Sequence, residues 1–249
     1  MLKLENITVA FGSHVVLNSL SCTIENGDFV VIVGANGAGK STFFDLIAGK
    51  TKPTQGRITL DDVDITRLDE VQRAPLISRL FQNTKFSVVP SMTVAENLAM
   101  ALYKSKPVGL TAGMGSFPKE IVENLLKPLN LENFLDKSMG MLSGGQRQMI
   151  AFIMATLQPP RLLLLDEPTA ALDPASATKL LTFATNYLKK HSITTLLITH
   201  DPNLALALGN KLWVLENGNI SKKFGAEEKN RISPENLVGH IDYSALKAH

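Results

Sequence analysis

The stretch "DFVVIVGANGAGKSTFFDLIAGK", residues 28–50, decides the fold. It opens with a near-continuous apolar run, the pattern of a strand covered on both faces, which leads straight into Gly34. It closes with "GKSTFFDLIAGK", which reads as a helix carrying apolar Phe43, Phe44, Leu46 and Ile47 and ending near Gly49. Between strand and helix, Gly34, Gly39, Lys40 and Ser41 satisfy G-x-x-x-x-G-K-[ST], and Asn36, Gly37 and Thr42 complete the loop. These residue types have a physical reason. Glycines let backbone N–H groups converge on phosphate oxygens with no side chain between them. The helix after the loop adds unsatisfied N–H groups and the positive end of its dipole. Lys40 brings a point charge for the β- and γ-phosphates, and Ser41 a hydroxyl for Mg²⁺. A strand–loop–helix of this kind implies a nucleotide site.

Working outward, "LKLENITV" at residues 2–9 alternates like a half-buried strand, and "VVLNSLSCTI" continues the β pattern after the turn "FGSH". "GRITLDDVDIT" predicts a strand with a turn at Asp61–Asp62. From about residue 90 the spacing turns helical in "TVAENLAMALYK", "KEIVENLLKPL" and "GQRQMIAFIMATL". The Gly-, Pro- and Ser-rich "KSKPVGLTAGMGSFPK" between the first two reads as an exposed loop. Strands return at Leu162–Leu165 and in "TTLLITH", a helix is expected over "ALDPASATKLLTFATNYLKKH", and "LALALG" reads as a short one. "KLWVLENGNISKKF" predicts a hairpin turning at Asn217–Gly218. The order implies an α/β class: a P-loop core with an N-terminal antiparallel β subdomain and an inserted all-helical segment. The expected division is one domain over 1–249, with a core of 1–82 and 159–230, a helical subdomain of 83–158 and a tail of 231–249.

Composition excludes several function classes. Lys and Arg number 25 against 23 Asp and Glu, so no nucleic-acid footprint is present in the net charge of +2. One cysteine, Cys22, excludes an intramolecular disulfide and fits a reducing compartment. The start "MLKLENITVAFG" has Glu5 and Asn6 before any apolar core of a signal peptide forms. The longest apolar runs, such as "MIAFIMATL", fall far below the roughly 18 residues of a membrane span.

Three further motifs carry chemistry. "LLLLDEPT" puts Asp166 and Glu167 at the C-terminal end of a buried strand, where ligands of open α/β sheets bind. Asp166 is expected on the Mg²⁺ shell and Glu167 on the attacking water, since phosphoryl transfer needs positioning and charge compensation more than covalent chemistry. His200 ends "LLITH" at the same sheet edge, within reach of a γ-phosphate. The remaining histidines lack metal-ligand spacing. "MLSGGQRQ", residues 141–148, is a second glycine turn before a helix, with no lysine inside the loop.

Together these residues resemble the nucleotide-binding subunit of an ABC transporter, over nearly the whole chain. "GANGAGKST" is similar to the Walker A loop, "LLLLDE" to the Walker B strand with its catalytic glutamate, and "LSGGQ" to the family signature. The resemblance implies catalytic roles for Glu167, His200 and Gln82, with Gln82 also a Mg²⁺ ligand beside Ser41 and Asp166. It implies that Phe11 stacks on adenine, where Tyr is the commoner residue. "AALDP" resembles the D-loop, with Asp173 at a dimer seam. In the family two copies pack head to tail, so Ser143, Gly144, Gly145 and Gln146 are expected to hold the γ-phosphate of an ATP bound to the partner copy. The implied partners are a second copy of the chain, an integral-membrane permease and, indirectly, an extracytoplasmic solute-binding protein. The implied location is the cytoplasmic face of the membrane.

At finer grain, "LSGGQRQMIAFIMATLQPPRLLLLDEPTAALDP" and "EEKNRISPENL" resemble a bacterial subgroup whose members pair with a branched-chain-amino-acid/ribose-type permease, which implies import of a small organic solute such as an amino acid. Pro168 departs from that subgroup, where His commonly follows the carboxylate pair, and Asp61–Asp62 lacks the usual turn glycine. Two other readings stay open: a soluble ABC ATPase acting as an assembly factor, and an exporter subunit.

Overall fold

The strand before the glycine loop, β3 (Phe29–Val33), is hydrogen-bonded in parallel on both sides. On one side lies β8 (Thr194–Ile198), in register from Phe29↔Thr195 to Ile32↔Ile198; on the other lies β9 (Lys211–Glu216), from Val30↔Lys211 to Val33↔Val214. This explains the unbroken apolar run, because both faces and both edges are covered. The computed structural model describes residues 1–103 and 118–239, so most of the expected loop "KSKPVGLTAGMGSFPK" and the end of the tail lie outside the described residues. The chain divides into two compact units: Met1–Ile77, Arg161–Leu165 and the residues from Ser192 on, then Ser78–Pro160 with Asp166–His191.

The first unit holds two sheets. The larger has the order β10-β9-β3-β8-β7-β6, with β10 (Asn219–Phe224), β7 (Leu162–Asp166) and β6 (Ile77–Leu80); β6 and β7 both run on into the second unit. The smaller is antiparallel, β2-β1-β4-β5, built from β1 (Leu2–Phe11), β2 (His14–Ile24), β4 (Gln55–Leu60) and β5 (Val63–Asp64). The core-facing residues of β1 are Leu2, Leu4, Ile7 and Val9, and the odd step from Leu4 to Ile7 should turn the strand over. A register shift between Leu4 and Ile7, with Asn6 at φ 50°, absorbs it and returns the apolar side chains to one face. Two of the hairpin turns have two residues at positive φ, Asn217–Gly218 at 48° and 75° and Asp61–Asp62 at 48° and 64°. The second turn needs no glycine because Asp tolerates the left-handed region.

The helix α1 (Lys40–Ala48) ends at Gly49 in the left-handed conformation, as its sequence implies. Its Phe43, Phe44, Leu46 and Ile47 join Val30 and Ile32 of β3 and Leu2, Leu4 and Ile7 of β1 in one buried cluster. The C-terminus of α1 is held by Arg73, which ends the short helix α2 (Glu70–Arg73). Its guanidinium is fully buried; Nη1 donates to the carbonyls of Leu46 and Ile47 at 2.8 Å each, Nε to Leu68 O at 3.0 Å and Nη2 to Thr66 O at 3.3 Å. Burial pulls the Arg73 pKa down to about 10. The unit finishes with α7 (Pro202–Ala207), α8 (Ala226–Lys229) and α9 (Pro234–Gly239). Buried Lys229 ties α8 down by donating to Gly209 O at 3.0 Å.

The second unit contains α3 (Val94–Tyr103), α4 (Lys119–Ile121), α5 (Gly144–Thr156) and α6 (Pro174–Lys190). The expected helix "KEIVENLLKPL" is broken. After α4 comes a wide turn over Val122–Leu126 and a tight 3₁₀ turn over Lys127–Leu129, because Pro128 has no N–H to give an α-helical ladder. The helix expected from Ala171 starts at Pro174, with Asp173 as its cap. Phe152 of α5 packs edge-on against Phe183 and Tyr187 of α6, with centroids 6.1 and 6.2 Å away, and the Tyr187 hydroxyl donates to Thr156 O at 3.1 Å.

Replacing Arg73 by Met leaves the last carbonyls of α1 buried without donors. We expect a loss of about 3 kcal/mol and a Tm drop of roughly 6–12 °C, read by a thermal melt of the purified chain. An unchanged Tm would show that these carbonyls find other donors.

Candidate nucleotide site

The glycine loop is fastened by close backbone contacts and by the Lys40 side chain. A Cβ on Gly34 would stand 2.3 Å from the carbonyl oxygen of Leu215 in β9, so only glycine allows β3 to leave the sheet so close to its neighbour. The N–H of Gly218, in the β9–β10 turn, donates to Ala38 O at 3.2 Å. Gly37 and Gly39 sit at φ 81° and 100°, which L side chains rarely adopt. Gly39 is the N-cap of α1 and has no capping side chain, and the first turn of α1 has no acid. The helix therefore presents its dipole and its first N–H groups to an anion. Lys40 is buried, with Nζ donating to Gly34 O and Ala35 O at 2.8 Å each, so its charge is held over the loop. Ser41, Asn36 and Gly37 are exposed and Thr42 half-buried.

In the same unit, register brings His200 to the loop's edge of the sheet. Ile32 pairs with Ile198, and Thr199 N donates to Ile32 O at 3.3 Å, so His200 leaves β8 level with Gly34 leaving β3. It is exposed. Asp201, next in the chain, caps α7 by accepting from Asn203 N at 2.8 Å and so fixes where the strand ends. Phe11 ends β1 opposite His14 and is 55% exposed.

The second unit carries the remaining residues. Ser143 caps α5: its Oγ accepts from Gln146 N at 3.2 Å, and Gln146 Oε1 accepts from Ser143 N at 2.9 Å. The cap engages a lone pair of Ser143, so the hydroxyl proton stays available to a ligand. Gly144 meets nothing closer than Ala171 O at 4.0 Å, whereas a Cβ on Gly145 would stand 2.6 Å from Ser176 Oγ and 2.7 Å from its Cβ. The two glycines thus differ: Gly144 is exposed, while Gly145 lets the start of α5 lie against the start of α6. Asp173 caps α6 by accepting from Ser176 N at 3.0 Å, a hydrogen bond that holds its carboxyl below the usual carboxylate range.

Asp166 ends β7 and Glu167 comes next at φ 46°, a left-handed backbone that is uncommon for this residue. Asp166 Oδ2 accepts from Arg79 Nη2 at 2.6 Å. Nothing in the sequence singles out Arg79: β6 reads "ISRL", whose serine and arginine break the apolar pattern, and the strand itself is not legible there. Gln82 comes after β6, exposed, on the rim of a cavity of about 650 Å³ in this unit. Val88, Pro90 and Leu172 give it an apolar wall, and Lys85 and Arg147 line it beside them.

A glycine-seated phosphate loop opening an uncapped helix, with a second glycine turn on a capped helix, defines an ATP-binding cassette of the P-loop class. The chain belongs to the ABC transporter family, whose profile matches residues 17–170. It is similar to a tyrosine transport ATP-binding protein of Clostridioides difficile (strain R20291), 38% identical over 98% of this chain and 100% of that one. A probable sulfate/thiosulfate import ATP-binding protein of Chlorella vulgaris is 39% identical over 90% of this chain and 91% of that one. Among solved structures, an ATP-binding cassette of an ABC transporter superposes with TM-score 0.79 at 30% identity, over 97% of this chain and 99% of that one. A dimeric cassette in a post-hydrolysis state, bound to ADP and Pi, superposes with TM-score 0.75 at 29% identity, over 91% and 99%. The chain is accordingly an ATP-binding, ATP-hydrolysing subunit of a transporter. No helix among its described residues is long and apolar enough to cross a membrane.

The packing of Gly145 gives a test. Gly145→Ala should destabilise the chain by about 1–3 kcal/mol through overpacking, and Ser176→Gly should recover at least half of that loss in the double variant. Additive losses in a urea-unfolding series would show that the two residues do not press on each other.

Proposed function

We propose that the chain drives import of a small organic solute, an amino acid in the first instance, through an integral-membrane permease at the cytoplasmic face. The observation that carries this is the end-to-end match to a tyrosine transport ATP-binding protein. An extracytoplasmic solute-binding protein completes the assembly. Two copies of the chain pair head to tail and close over two ATP molecules.

Each residue has a task in that reading. Phe11 stacks on adenine, and the N–H groups of Gly34, Asn36, Gly37, Gly39 and Thr42 with the Lys40 ammonium bind phosphate oxygens. Ser41, Gln82 and Asp166 form the Mg²⁺ set. Their donors are all hard oxygens, which suits this ion, and the Asp166 carboxylate already meets a cation in Arg79. Bound there, Mg²⁺ supplies charge compensation on the phosphates. Glu167 orients the attacking water, and His200 hydrogen-bonds the γ-phosphate. Ser143, Gly144, Gly145 and Gln146 take the γ-phosphate held by the other copy, with Asp173 at the seam. The apolar cavity beside Gln82 receives a cytoplasmic helix of the permease.

Two measurements test the reading. Glu167→Gln should lower the ATPase rate by about a hundredfold or more while shifting the chain to a dimer with ATP-Mg²⁺. Light scattering that still finds a monomer at saturating nucleotide would sink the sandwich. The same tagged variant, expressed in its native host and solubilised with ATP, should co-purify a multi-span permease identified by mass spectrometry. Soluble partners alone would point instead to a non-transport ATPase, and a permease encoded without a neighbouring binding protein would point to an exporter.

A further inference from the structure

Arg79 is placed to do more than neutralise a neighbour. Its side chain is 10% exposed, that of Asp166 is 18% exposed, and Nη2 lies 2.6 Å from Oδ2, a charge-assisted hydrogen bond shielded from water. The other side of the guanidinium is engaged too: its carbon lies 4.6 Å from the centroid of the Phe81 ring. The Phe81 ring in turn meets that of Phe86, with centroids 5.9 Å apart. The backbone of Phe81 is held separately. Gln148 of α5, 1% exposed, donates Nε2 to Phe81 O at 3.2 Å, and its Oε1 has no hydrogen-bond partner. One arginine therefore joins the metal-facing carboxylate to the residue immediately before Gln82, and one glutamine joins that residue to the helix that Ser143 caps.

Two cations compete for one carboxylate. Arg79 gives Asp166 one positive charge in a poorly solvated place, and a divalent cation brings two more to the same group. Both cannot hold it at full strength, since like charges a few ångströms apart repel strongly where water is scarce. We propose that Mg²⁺ displaces Arg79 from Asp166, and that Arg79, released onto the Phe81 ring, is the positioning residue through which metal loading reaches Phe81 and the start of the Gln82 loop, in addition to the metal's own contact with Gln82. Gln148 is the fixed point: it holds the Phe81 carbonyl while the side chain beside it changes partner. This inference rests on the reading of Asp166 as a metal ligand.

The test uses the full chain and the non-hydrolysable nucleotide AMP-PNP, titrated by calorimetry in Mg²⁺ and again in EDTA. The ratio of the two affinities isolates the metal from the nucleotide. Arg79→Met should raise that ratio about three- to tenfold, because the metal no longer competes, with Arg79→Lys intermediate. Hydrogen–deuterium exchange over residues 79–88 should change on adding Mg²⁺ to the AMP-PNP-bound wild type, and by less than half as much in Arg79→Met, where only the direct contact of the metal with Gln82 remains. Arg79→Gln, which keeps a hydrogen bond but no charge, repeats the measurement if the methionine variant unfolds, and should behave like it. Asp166→Asn is the control on the underlying reading. If it lowers the ratio while both uncharged Arg79 variants leave it unchanged or lower it, Arg79 is only a structural neighbour and the proposal falls. If Asp166→Asn itself leaves the ratio unchanged, Asp166 is not a metal ligand, and the reading beneath the proposal falls with it.

Discussion

The close approach of two backbones governs this molecule. Between Gly34 and the Leu215 carbonyl there is no room for a methyl group, and the chain turns from strand to phosphate loop at that spot. The loop and the start of α1 inherit their position from there. The Gly218 N–H grips the loop at Ala38, and Gly218 is itself lodged against β2, where an added Cβ would stand 2.1 Å from Val16 O. The hairpin turn that the sequence marks as Asn217–Gly218 is therefore a brace for the loop as well as a reversal of the chain. Such a brace suits an anion site, since donors fixed before the ligand arrives need no reorganisation when it does.

The helical unit is organised by a different means, helix caps. Ser143 and Asp173, two of the residues expected to meet a partner copy, each begin a helix by accepting from a backbone N–H three residues on. Gly145 and Ser176, which sit just inside those caps, are where the first turns of the two helices touch. Structural and functional assignments are thus not alternatives at these positions. A cap fixes the direction of the side chain and leaves its remaining hydrogen-bonding capacity facing outward.

Much of this could be read from residues alone, and the reasons are specific. The β3–loop–α1 unit is legible because its strand is apolar throughout, its loop is glycine-rich and its helix has a 3.6-residue period, three independent signals that agree. The turn at Asn217–Gly218 is legible because few dipeptides favour two positive φ angles. What escaped has equally local causes. β6 hides because Ser78 and Arg79 interrupt its apolar pattern, and with it went the Arg79–Asp166 pair, which joins residues 87 positions apart. The segment after Lys119 has helical spacing, but periodicity does not register the missing N–H of Pro128. Nor does a sequence distinguish Gly144 from Gly145, since the difference lies in what faces them.

Cys22 excludes an intramolecular disulfide, and its surroundings add something practical. It faces the core from β2, and burial pushes its thiol up to about 12, so the reactive thiolate is scarce at neutral pH. Both burial and the scarce thiolate disfavour reaction of the native chain with maleimides and thiol-directed spin labels. A label placed on an exposed position such as Val71 could be introduced without first removing Cys22, and its signal would report on that one place.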